Sequence, residues 1–336
     1  MVNVLTEKDA DMKYLDGKTV AVIGYGIQGR AQALNLRDSG VDVIVGVRKN
    51  GESYRQARDD GFEPMEISEA ADAGDVIMVL IPDETQERVY RESIMPHLTE
   101  GKTLEFAHGF NIRFRRIVPP ANVDVIMVAP KAPGAMVRKT FLEGFGTPSL
   151  VAVEQDYTGK AFQTAMAIAK GIGATRAGVI RTTFTEETET DLFGEQVVLC
   201  GGISQLIKRA FDFLVSRGYQ PEIAYFEVLH EMKLIVDLIQ AGGIENMWDG
   251  VSNTAEYGGR TRGGRVIDEH YEAAMDRILR DIKDGSFAKE WMDEYYSGQK
   301  NLDAMREKAR KEQIEVIGKE IRAMFRPVKE RASART

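Results

Sequence analysis

Cysteine is almost absent from this sequence, which has one thiol, at position 200, in 336 residues. A single thiol excludes an intrachain disulfide and any zinc site built from several cysteines. Such sparse cysteine is typical of proteins that work in a reducing compartment. We therefore expect a cytoplasmic protein in which Cys200 is a small buried residue.

Long apolar runs and an excess of basic residues are also missing. The longest apolar run, residues 76–81, is far too short to cross a bilayer, and the N-terminus lacks the basic and then apolar order of a signal peptide. Forty-four Lys and Arg against 52 Asp and Glu give a net charge of −8, which offers no general attraction to phosphate backbones or anionic lipid. We therefore expect no nucleic-acid partner and no membrane partner.

The composition is that of an ordinary folded protein. Hydrophobic residues make up 43% and charged residues 29% of the chain, outside the ranges of disordered and collagen-like sequences. At roughly 150 residues per domain, this length predicts about two domains, each large enough to bury a core without disulfide or metal staples.

Runs rich in Val, Ile and Leu alternate with helix-like stretches through the first 180 residues. Near-continuous apolar runs are typical of strands covered on both faces, as in a parallel sheet. The alternation predicts a Rossmann-like, doubly wound α/β domain with right-handed crossovers and a ligand crevice at the carboxyl ends of the strands. The predicted strands are 19–23, 43–47, 76–81, 103–106, 125–129 and 150–153.

The pattern changes near residue 182, after which only helical periodicity is evident. We predict an α/β domain at 1–182, an all-helical domain at 183–328 and a mobile tail at 329–336. A helix start is expected at Thr185, and Gly218 with Pro221 predicts a stop followed by a new start. The predicted helices are 186–217, 221–240, 265–283 and 301–324.

A dinucleotide-binding pattern follows the first predicted strand. Gly24 permits a tight turn, Gly26 lets the backbone approach a pyrophosphate, and Gly29 lets the next helix pack closely on the strand. The helix N-terminus would face the anion. The alternative is a glycine turn with a purely structural role, but the position in the first βα unit favours cofactor binding.

The end of the second strand bears on the choice of cofactor. Arg48 stands where an NAD-type site would have an acid for the ribose 2′-hydroxyl, and Lys49 and Ser53 could add donors. This favours NADPH, while the alternative is a pair of solvated loop cations. Glu52 would repel a 2′-phosphate, so use of NADH stays open.

Two pairs of acids have i, i+4 spacing in predicted helices. Asp191 with Glu195, and Glu227 with Glu231, each project from one helix face because positions four apart differ by about 40° in azimuth. Carboxylates and water are the ligands that Mg²⁺ prefers, and four acids could hold two ions. The alternative is ordinary acidic surface. Three preceding acids are interpreted as a helix N-terminal cluster favoured by the dipole: Glu186, Glu187 and Glu189.

Three polar features lie near the predicted crevice or a helix start. His108 and Lys131 each follow a strand, so both should lie at the carboxyl edge of the sheet, with the Gly134 backbone beside Lys131. A packing histidine is the alternative for His108. Ser252 lies in a polar turn after a helical segment, where a simple helix cap is an equal interpretation.

In combination, these motifs resemble the ketol-acid reductoisomerases of the short, class I type, also called acetohydroxyacid isomeroreductases. The matching segments are GYGIQG at 24–29, FAHGFNI at 106–112, APKAPG at 129–134, TFTEETETDLFGEQ at 183–196, FEVLHE at 226–231 and the turn at 250–254. The resemblance implies a Mg²⁺-dependent alkyl shift in 2-acetolactate or 2-aceto-2-hydroxybutyrate, followed by reduction with NADPH, in valine and isoleucine synthesis. It also implies a knotted helical domain.

The resemblance further implies the metal site. Asp191 would bridge two Mg²⁺ ions and Glu195 would complete one coordination set. Glu227 and Glu231 would act from a partner subunit, which makes the protein a homodimer at least. Glu231, or a water on the metal, would manage the proton of the substrate hydroxyl.

Other roles carry over by motif. His108 and Lys131 would stand near the reacting groups, and Ser252 would hold the substrate carboxylate. The sequence departs from the usual family pattern at Gly51 and Glu52, which again leaves strict NADPH preference open. The implied cofactor contacts beyond the three glycines are Tyr25, Ile27, Gln28, Arg48, Ser53, Asp83, Glu84, Thr85, Gln86 and Gly134.

Two other functions compete with this interpretation. A plain NADPH-dependent hydroxy-acid or imine dehydrogenase would keep the glycine turn and a helical second domain, but it would not need four carboxylates. A non-catalytic sensor would bind NADPH without turnover. A requirement for Mg²⁺ separates the isomerising enzyme from the plain dehydrogenase.

Overall fold

The structure is a computed structural model that describes residues 3–325. The chain divides into two compact units, one up to Thr190 and one from Asp191 onwards. The predicted boundary at 182 and the predicted knot stay predictions. The predicted mobile tail at 329–336 lies outside the described residues.

The first unit is built on one eight-stranded sheet. Its strand order is β1-β8-β7-β6-β5-β4-β2-β3. The strands are β1 (Val4–Leu5), β2 (Thr19–Ile23), β3 (Asp42–Gly46), β4 (Val76–Val79), β5 (Thr103–Phe106), β6 (Asp124–Pro130), β7 (Ser149–Gln155) and β8 (Val179–Arg181).

The sheet is mixed, and here the expectation of a parallel sheet is wrong in part. Strands β3, β2, β4, β5 and β6 are parallel, whereas β7 runs antiparallel to β6 and β1 antiparallel to β8. A continuous apolar run reflects burial on both faces of a sheet and carries no information about strand direction. The sequence does not predict the short strands β1 and β8, because two or three residues are too few to establish a pattern.

Helices cover both faces of this sheet, and the sheet separates two apolar layers. Short 3₁₀ helices at Glu7–Asp9, Met12–Leu15 and Met95–His97 and a π-helical turn at Tyr90–Ile94 complete the unit. Its α-helices are α1 (Ile27–Asp38), α2 (Glu52–Asp59), α3 (Ile67–Ala73), α4 (Asp83–Val89), α5 (Phe110–Arg113), α6 (Gly134–Leu142), α7 (Ala161–Gly171), α8 (Ala174–Ala177) and α9 (Phe184–Gly194), of which α9 continues into the second unit.

The described part of the second unit is entirely helical, as predicted. A core around Phe211, Tyr225 and Ile314 joins three of its helices, those at 201–216, 221–225 and 313–324. These helices are α10 (Gly201–Ser216), α11 (Pro221–Tyr225), α12 (Met232–Asp249, kinked at Gly243), α13 (Asn253–Val266), α14 (Glu269–Lys283), α15 (Ser286–Tyr296), α16 (Lys300–Ala309) and α17 (Gln313–Met324). Within the described residues, no helix is both long and apolar enough to span a bilayer.

Two predicted continuous helices are interrupted by π-helical turns, at Glu195–Leu199 and Phe226–His230. A π turn adds about one residue without ending the helix, so the periodicity of the sequence hides it. The predicted stop and restart are confirmed, because α10 ends before Gly218 (φ +89°) and α11 begins at Pro221.

Two local predictions in this region are wrong. The first long helix begins at Phe184 and not at Thr185, because the Thr183 hydroxyl accepts the backbone N–H of Glu186 at 3.0 Å. Cys200 is exposed and not buried. It follows the π turn beside Leu199, which is itself 68% exposed, on a surface that the described chain leaves uncovered.

Candidate active site

The glycine loop between β2 and α1 has the backbone that its sequence predicts. Gly24 has φ +99°, and a Cβ there would lie 2.7 Å from the carbonyl oxygen of Leu80. A Cβ on Gly29 would lie 2.3 Å from the carbonyl oxygen of Gly24, whereas one on Gly26 would meet nothing within 4 Å. Gly24 and Gly29 thus close the turn, and Gly26 leaves open space in front of the α1 N-terminus, which suits a pyrophosphate.

A cavity of about 440 Å³ opens at this loop. Arg48, Ser53 and Thr85 line it together with Glu52, so cationic, hydroxyl and carboxylate groups face the same space. The cavity lies at the carboxyl ends of β2, β3 and β4, where open α/β sheets bind their ligands. Its polar groups fit the adenosine end of a dinucleotide.

Tyr25 contributes its backbone to this loop, while its side chain belongs to the protein interior. Its ring packs edge-on against Phe62, and its hydroxyl donates to Asp60 Oδ2 at 3.0 Å. Burial, reinforced by the hydrogen bond to the Asp60 carboxylate, raises the pKa of Tyr25 well above its ordinary value. The phenol is therefore a neutral structural group.

The loop after β4 is fixed by its own side chains. The Gln86 amide is buried and donates to the Ile81 carbonyl at 2.9 Å and to Asp83 Oδ1 at 3.2 Å. Asn111, on α5, donates to the Asp83 carbonyl and to Gln86 Oε1. Gln86 therefore shapes this predicted cofactor loop from within, while Glu84 is half-buried on the first turn of α4.

The carboxyl ends of β5 and β6 carry the predicted His108 and Lys131, and a third residue joins them. Glu187, on α9, is 1% exposed. Its Oε2 lies 3.0 Å from His108 Nδ1 and accepts the Gly109 backbone N–H at 3.2 Å. Its Oε1 accepts from Lys131 Nζ at 2.7 Å. Both predicted residues thus lie at the sheet edge, gathered around one buried carboxylate.

The charge state of Glu187 follows from these contacts. Burial by itself would raise the pKa of this carboxyl, but the hydrogen bonds and positive charges of His108 and Lys131 outweigh burial and hold the pKa below its ordinary value. Glu187 is therefore an anion at neutral pH. A buried anion bonded to two groups that can carry positive charge is typical of a catalytic site.

Sequence reasoning missed Glu187 and assigned it, with Glu186 and Glu189, to a helix N-terminal cluster favoured by the dipole. A signal was present, because Glu187 precedes Asp191 by four residues and extends the stripe of Asp191 and Glu195 by one helical turn. The neighbouring Glu189 is also paired, accepting from Arg113 Nη2 at 2.6 Å. This ion pair ties α9 to α5, the short helix that follows His108.

The two predicted carboxylate pairs both coincide with π-helical turns. Glu195 opens the first turn, one α-helical turn after Asp191, while Glu227 lies in the second and Glu231 directly after it. Single π turns often occur at functional sites. Among the described residues of the second unit, no three His, Cys, Asp or Glu side chains lie close enough to hold one ion, so the two pairs do not converge within it.

Carboxylates that project from helices in this way fit Mg²⁺, which takes few protein oxygens and keeps several waters. Glu227 and Glu231 are exposed beside an apolar groove of about 330 Å³ that contains Leu206 and Ile235. Two acids beside an uncovered apolar groove are typical of a surface that meets another protein chain.

Ser252 is a helix cap, as one of its two interpretations predicts. Its Oγ accepts the Ala255 N–H at 3.2 Å at the start of α13. An accepting hydroxyl keeps its own hydrogen available for donation. Ser252 is exposed, so capping leaves a role in binding a substrate carboxylate open.

Comparison with known proteins identifies both parts of the chain. Residues 14–178 match the family described as acetohydroxy acid isomeroreductase, NADPH-binding domain. Residues 184–327 match the ketol-acid reductoisomerase C-terminal domain. Together these matches span nearly the whole chain.

Close relatives agree with this result. The chain is 59% identical to the ketol-acid reductoisomerase (NADP(+)) of Methanocaldococcus jannaschii, over 96% of this chain and 98% of the relative. It is 58% identical to that of Pyrobaculum neutrophilum, over 97% and 99%. A solved structure of an NADH-preferring ketol-acid reductoisomerase from an uncultured archaeon is 49% identical, with TM-score 0.94, covering 97% of this chain and 100% of that one. The chain therefore belongs to the ketol-acid reductoisomerase family.

Proposed function

We propose that this chain performs the family reaction with the residues gathered at the carboxyl edge of its sheet and the two carboxylate pairs. As a ketol-acid reductoisomerase, the protein moves an alkyl group between adjacent carbons of an acetohydroxy acid and reduces the product with NADPH, in branched-chain amino acid biosynthesis. The observation that carries the assignment of residues is the buried Glu187 carboxylate between His108 and Lys131.

The glycine loop and the adjoining cavity hold the dinucleotide. Gly26 leaves room for the pyrophosphate, while Arg48 and Ser53 offer a cation and a hydroxyl for a 2′-phosphate. Glu52 lines the same cavity and can instead accept a ribose hydroxyl, so NADH is a possible second cofactor. The nicotinamide supplies the hydride of the reductive step.

Asp191 and Glu195 from one subunit, and Glu227 and Glu231 from its partner, form the metal-ligand set that we propose. When bound, Mg²⁺ stabilises the negative charge that develops on substrate oxygens during the alkyl shift. Glu231 is the proposed acceptor of the substrate hydroxyl proton. This role needs an acid close to the ligands but not fully committed to a metal.

Lys131 and His108 stabilise negative charge on the substrate oxygens in the proposed site. The Lys131 side chain is 36% exposed and donates from Nζ to Glu187 at 2.7 Å, so its ammonium is both anchored in the site and accessible to a substrate oxygen. Glu187 keeps both partners positively polarised and orients them. Ser252 donates its free hydroxyl hydrogen to the substrate carboxylate.

We propose a homodimer as the smallest active assembly. Large apolar side chains project from the helices that bear the acid pairs, as expected of a surface that another chain covers. They include Val198, Leu199, Leu206, Ile223, Leu234, Val236 and Ile244. A cytoplasmic location, suggested by the single cysteine, is proposed with it.

The direct test is NADPH oxidation with 2-acetolactate and with 2-aceto-2-hydroxybutyrate, after chelation and with Mg²⁺ restored. We expect turnover only with Mg²⁺, and none for Asp191→Asn, because a neutral amide is a poor Mg²⁺ ligand. Glu222→Gln, an exposed acid on α11, is the matched control and should behave like wild type. Full metal-independent turnover would favour a plain dehydrogenase instead.

A further inference from the structure

Gln28 lies on the first turn of the helix that follows the dinucleotide loop, yet its side chain is bonded to another part of the chain. Its Nε2 donates to the Ala132 carbonyl oxygen at 2.9 Å. Ala132 directly follows Lys131 at the end of β6. The cofactor loop and the loop that carries Lys131 are therefore joined by a side-chain hydrogen bond.

The Gln28 amide is held in one orientation. Gln32, one helical turn further on and fully buried, donates from Nε2 to Gln28 Oε1 at 3.3 Å. With its oxygen occupied from this side, Gln28 presents its NH₂ group to the Ala132 carbonyl. A chain of two amides, from the buried Gln32 to the half-buried Gln28, thus ends on the backbone beside Lys131.

The two loops are also in backbone contact. A Cβ on Gly134 would lie 2.0 Å from the Ile27 carbonyl oxygen and 3.0 Å from the Gln28 nitrogen. Gly134 therefore packs against the start of α1 with no room for a side chain between them. In this tight contact, the Gln28 amide fixes the direction of the Ala132 carbonyl.

The direction of this peptide matters because Lys131 has a long and flexible side chain. Four rotatable bonds must be ordered for Nζ to reach Glu187 at 2.7 Å, and that ordering costs conformational entropy. On its N-terminal side, the Lys131 backbone is held by its N–H, which donates to the Pro148 carbonyl at 2.9 Å. On its C-terminal side, the bond from Gln28 to Ala132 holds it.

We infer that Gln28 is a positioning residue, whose side chain orders the 131–134 loop so that Lys131 meets Glu187, and that this side chain does not serve as a contact for the cofactor. The link from this order to turnover rests on the role proposed above for Lys131.

The test compares Gln28→Met with a matched control. Gln28 bonds the backbone just after β6, and the control residue bonds the backbone just before β6. Gln155 likewise donates through Nε2 to backbone carbonyls, those of Pro120 and Val123, just before β6 begins. Gln155→Met therefore removes bonds of the same kind without touching the Lys131 loop. Met has nearly the size of Gln but no donor for a carbonyl.

The main readout is the rate at which acetic anhydride acetylates Lys131, measured by mass spectrometry of the peptide. An ammonium held on a carboxylate reacts slowly, so we expect at least about a threefold faster rate in Gln28→Met and no change in Gln155→Met. NADPH Kd, measured by direct titration, should stay within about twofold, while kcat should fall by about tenfold or more.

Two results would overturn the inference: an unchanged Lys131 acetylation rate in Gln28→Met, or a loss of NADPH affinity as large as the loss of kcat. If Gln28→Met does not fold, Gln28→Leu gives the same test, because its uncharged side chain cannot donate to Ala132. Lys131→Met separates the two proposals. If that variant keeps wild-type turnover, the catalytic role of Lys131 fails, while the acetylation rates still decide whether Gln28 orders it.

Discussion

Glu187 shows how single residues determine this site. A carboxylate that is 1% exposed would be strongly unfavourable without partners, because removing an ion from water costs several kcal/mol. The Gly109 N–H, Lys131 and His108 compensate for that cost. The charge is thus stable only in the folded arrangement, and each partner is held in turn by the charge.

The first prediction concerns the stability of Glu187→Gln as a function of pH. The pKa of Glu187 is lowered from an ordinary value of 4.5, so its charge stabilises the fold above that value. This contribution disappears as pH falls through the lowered pKa. We expect Glu187→Gln to lower the free energy of unfolding by about 1–3 kcal/mol at pH 7 and to have little effect at the acid end, as measured by urea unfolding.

Glu186→Gln is the matched control for this prediction. Glu186 is the preceding residue on the same helix, but it is exposed and accepts a hydrogen bond from the Thr182 hydroxyl. Its variant should change the free energy of unfolding at pH 7 by well under that of Glu187→Gln. Equal effects of the two variants would mean that the contacts of Glu187 with His108 and Lys131 add no stability beyond that of an exposed acid.

The second prediction concerns cofactor choice at Arg48. A charge-assisted contact to a 2′-phosphate is worth about 1.5–3 kcal/mol, and an acid there adds repulsion. Arg48→Asp should therefore weaken NADPH binding by about tenfold or more and NADH binding much less, as measured by titration of each cofactor. Lys49→Asp makes the same charge change one residue away, where the ammonium faces Glu66 at 3.8 Å, and should discriminate far less. Equal losses for both cofactors in Arg48→Asp would contradict the assignment.

At the scale of elements, the contact between β2 and α1 separates what the fold needs from what the cofactor needs. A Cβ on Gly29 would overlap the Gly24 carbonyl, whereas one on Gly26 has open space and an ordinary negative φ of −82°. Gly29 is therefore required by the packing of the fold, whereas Gly26 is required only by the space that the cofactor needs.

The third prediction follows from that difference. Gly29→Ala should destabilise the fold, because overpacking typically costs about 1–3 kcal/mol and the gain in helix propensity is at most about 1 kcal/mol. Gly26→Ala should leave thermal unfolding close to wild type and raise the NADPH Kd by about tenfold or more, because its methyl group fills the space for the pyrophosphate. Calorimetry measures the thermal unfolding of each variant, and titration measures its NADPH Kd. Strong destabilisation by Gly26→Ala would refute this division.

At the scale of the whole molecule, the second unit carries its acid pairs on helices that leave apolar surface exposed. Ile223, Leu234 and Ile244 are 51%, 59% and 61% exposed. The groove beside Glu227 and Glu231 belongs to the same helices. Large exposed apolar groups on the helices that carry the acids favour association, which supports the proposal that a partner subunit completes the site.

The fourth prediction tests the shared site by complementation. Asp191→Asn and Glu227→Gln should each be inactive while binding NADPH normally, because the nucleotide loop lies in the other unit. In a mixed dimer one composite site carries both lesions and the other carries none. Co-expression with random pairing should therefore restore about a quarter of wild-type sites, measured as NADPH turnover per subunit.

Tagged heterodimers provide the decisive sample for this prediction, since a tight apolar interface exchanges subunits slowly after purification. Mixed dimers should show about half of wild-type turnover per dimer. If purified mixed dimers have no activity, all four acids belong to one subunit's site and the partner assignment is wrong.

The sequence by itself determined the features that depend on local pattern. The glycine loop, the central strands and the helical second unit were predicted from periodicity and turn chemistry, because those signals act over a few residues. The same patterns, through the family they resemble, led to His108 and Lys131. Both were predicted at the carboxyl edge because parallel strands bring their ends together.

Only the tertiary structure decided which acid of the α9 cluster is buried. Glu187 shares a helical stripe with Asp191 and Glu195, but that spacing does not show that it is buried. Its burial follows from the contact with Lys131 and His108, which lie 56 and 79 residues away along the chain. The direction of β7 and the exposure of Cys200 likewise depend on what each segment meets in space. Contacts between distant segments do not change the hydrophobic periodicity of either segment. The sequence pattern therefore predicts the helices and strands, whereas the arrangement of the site depends on tertiary packing.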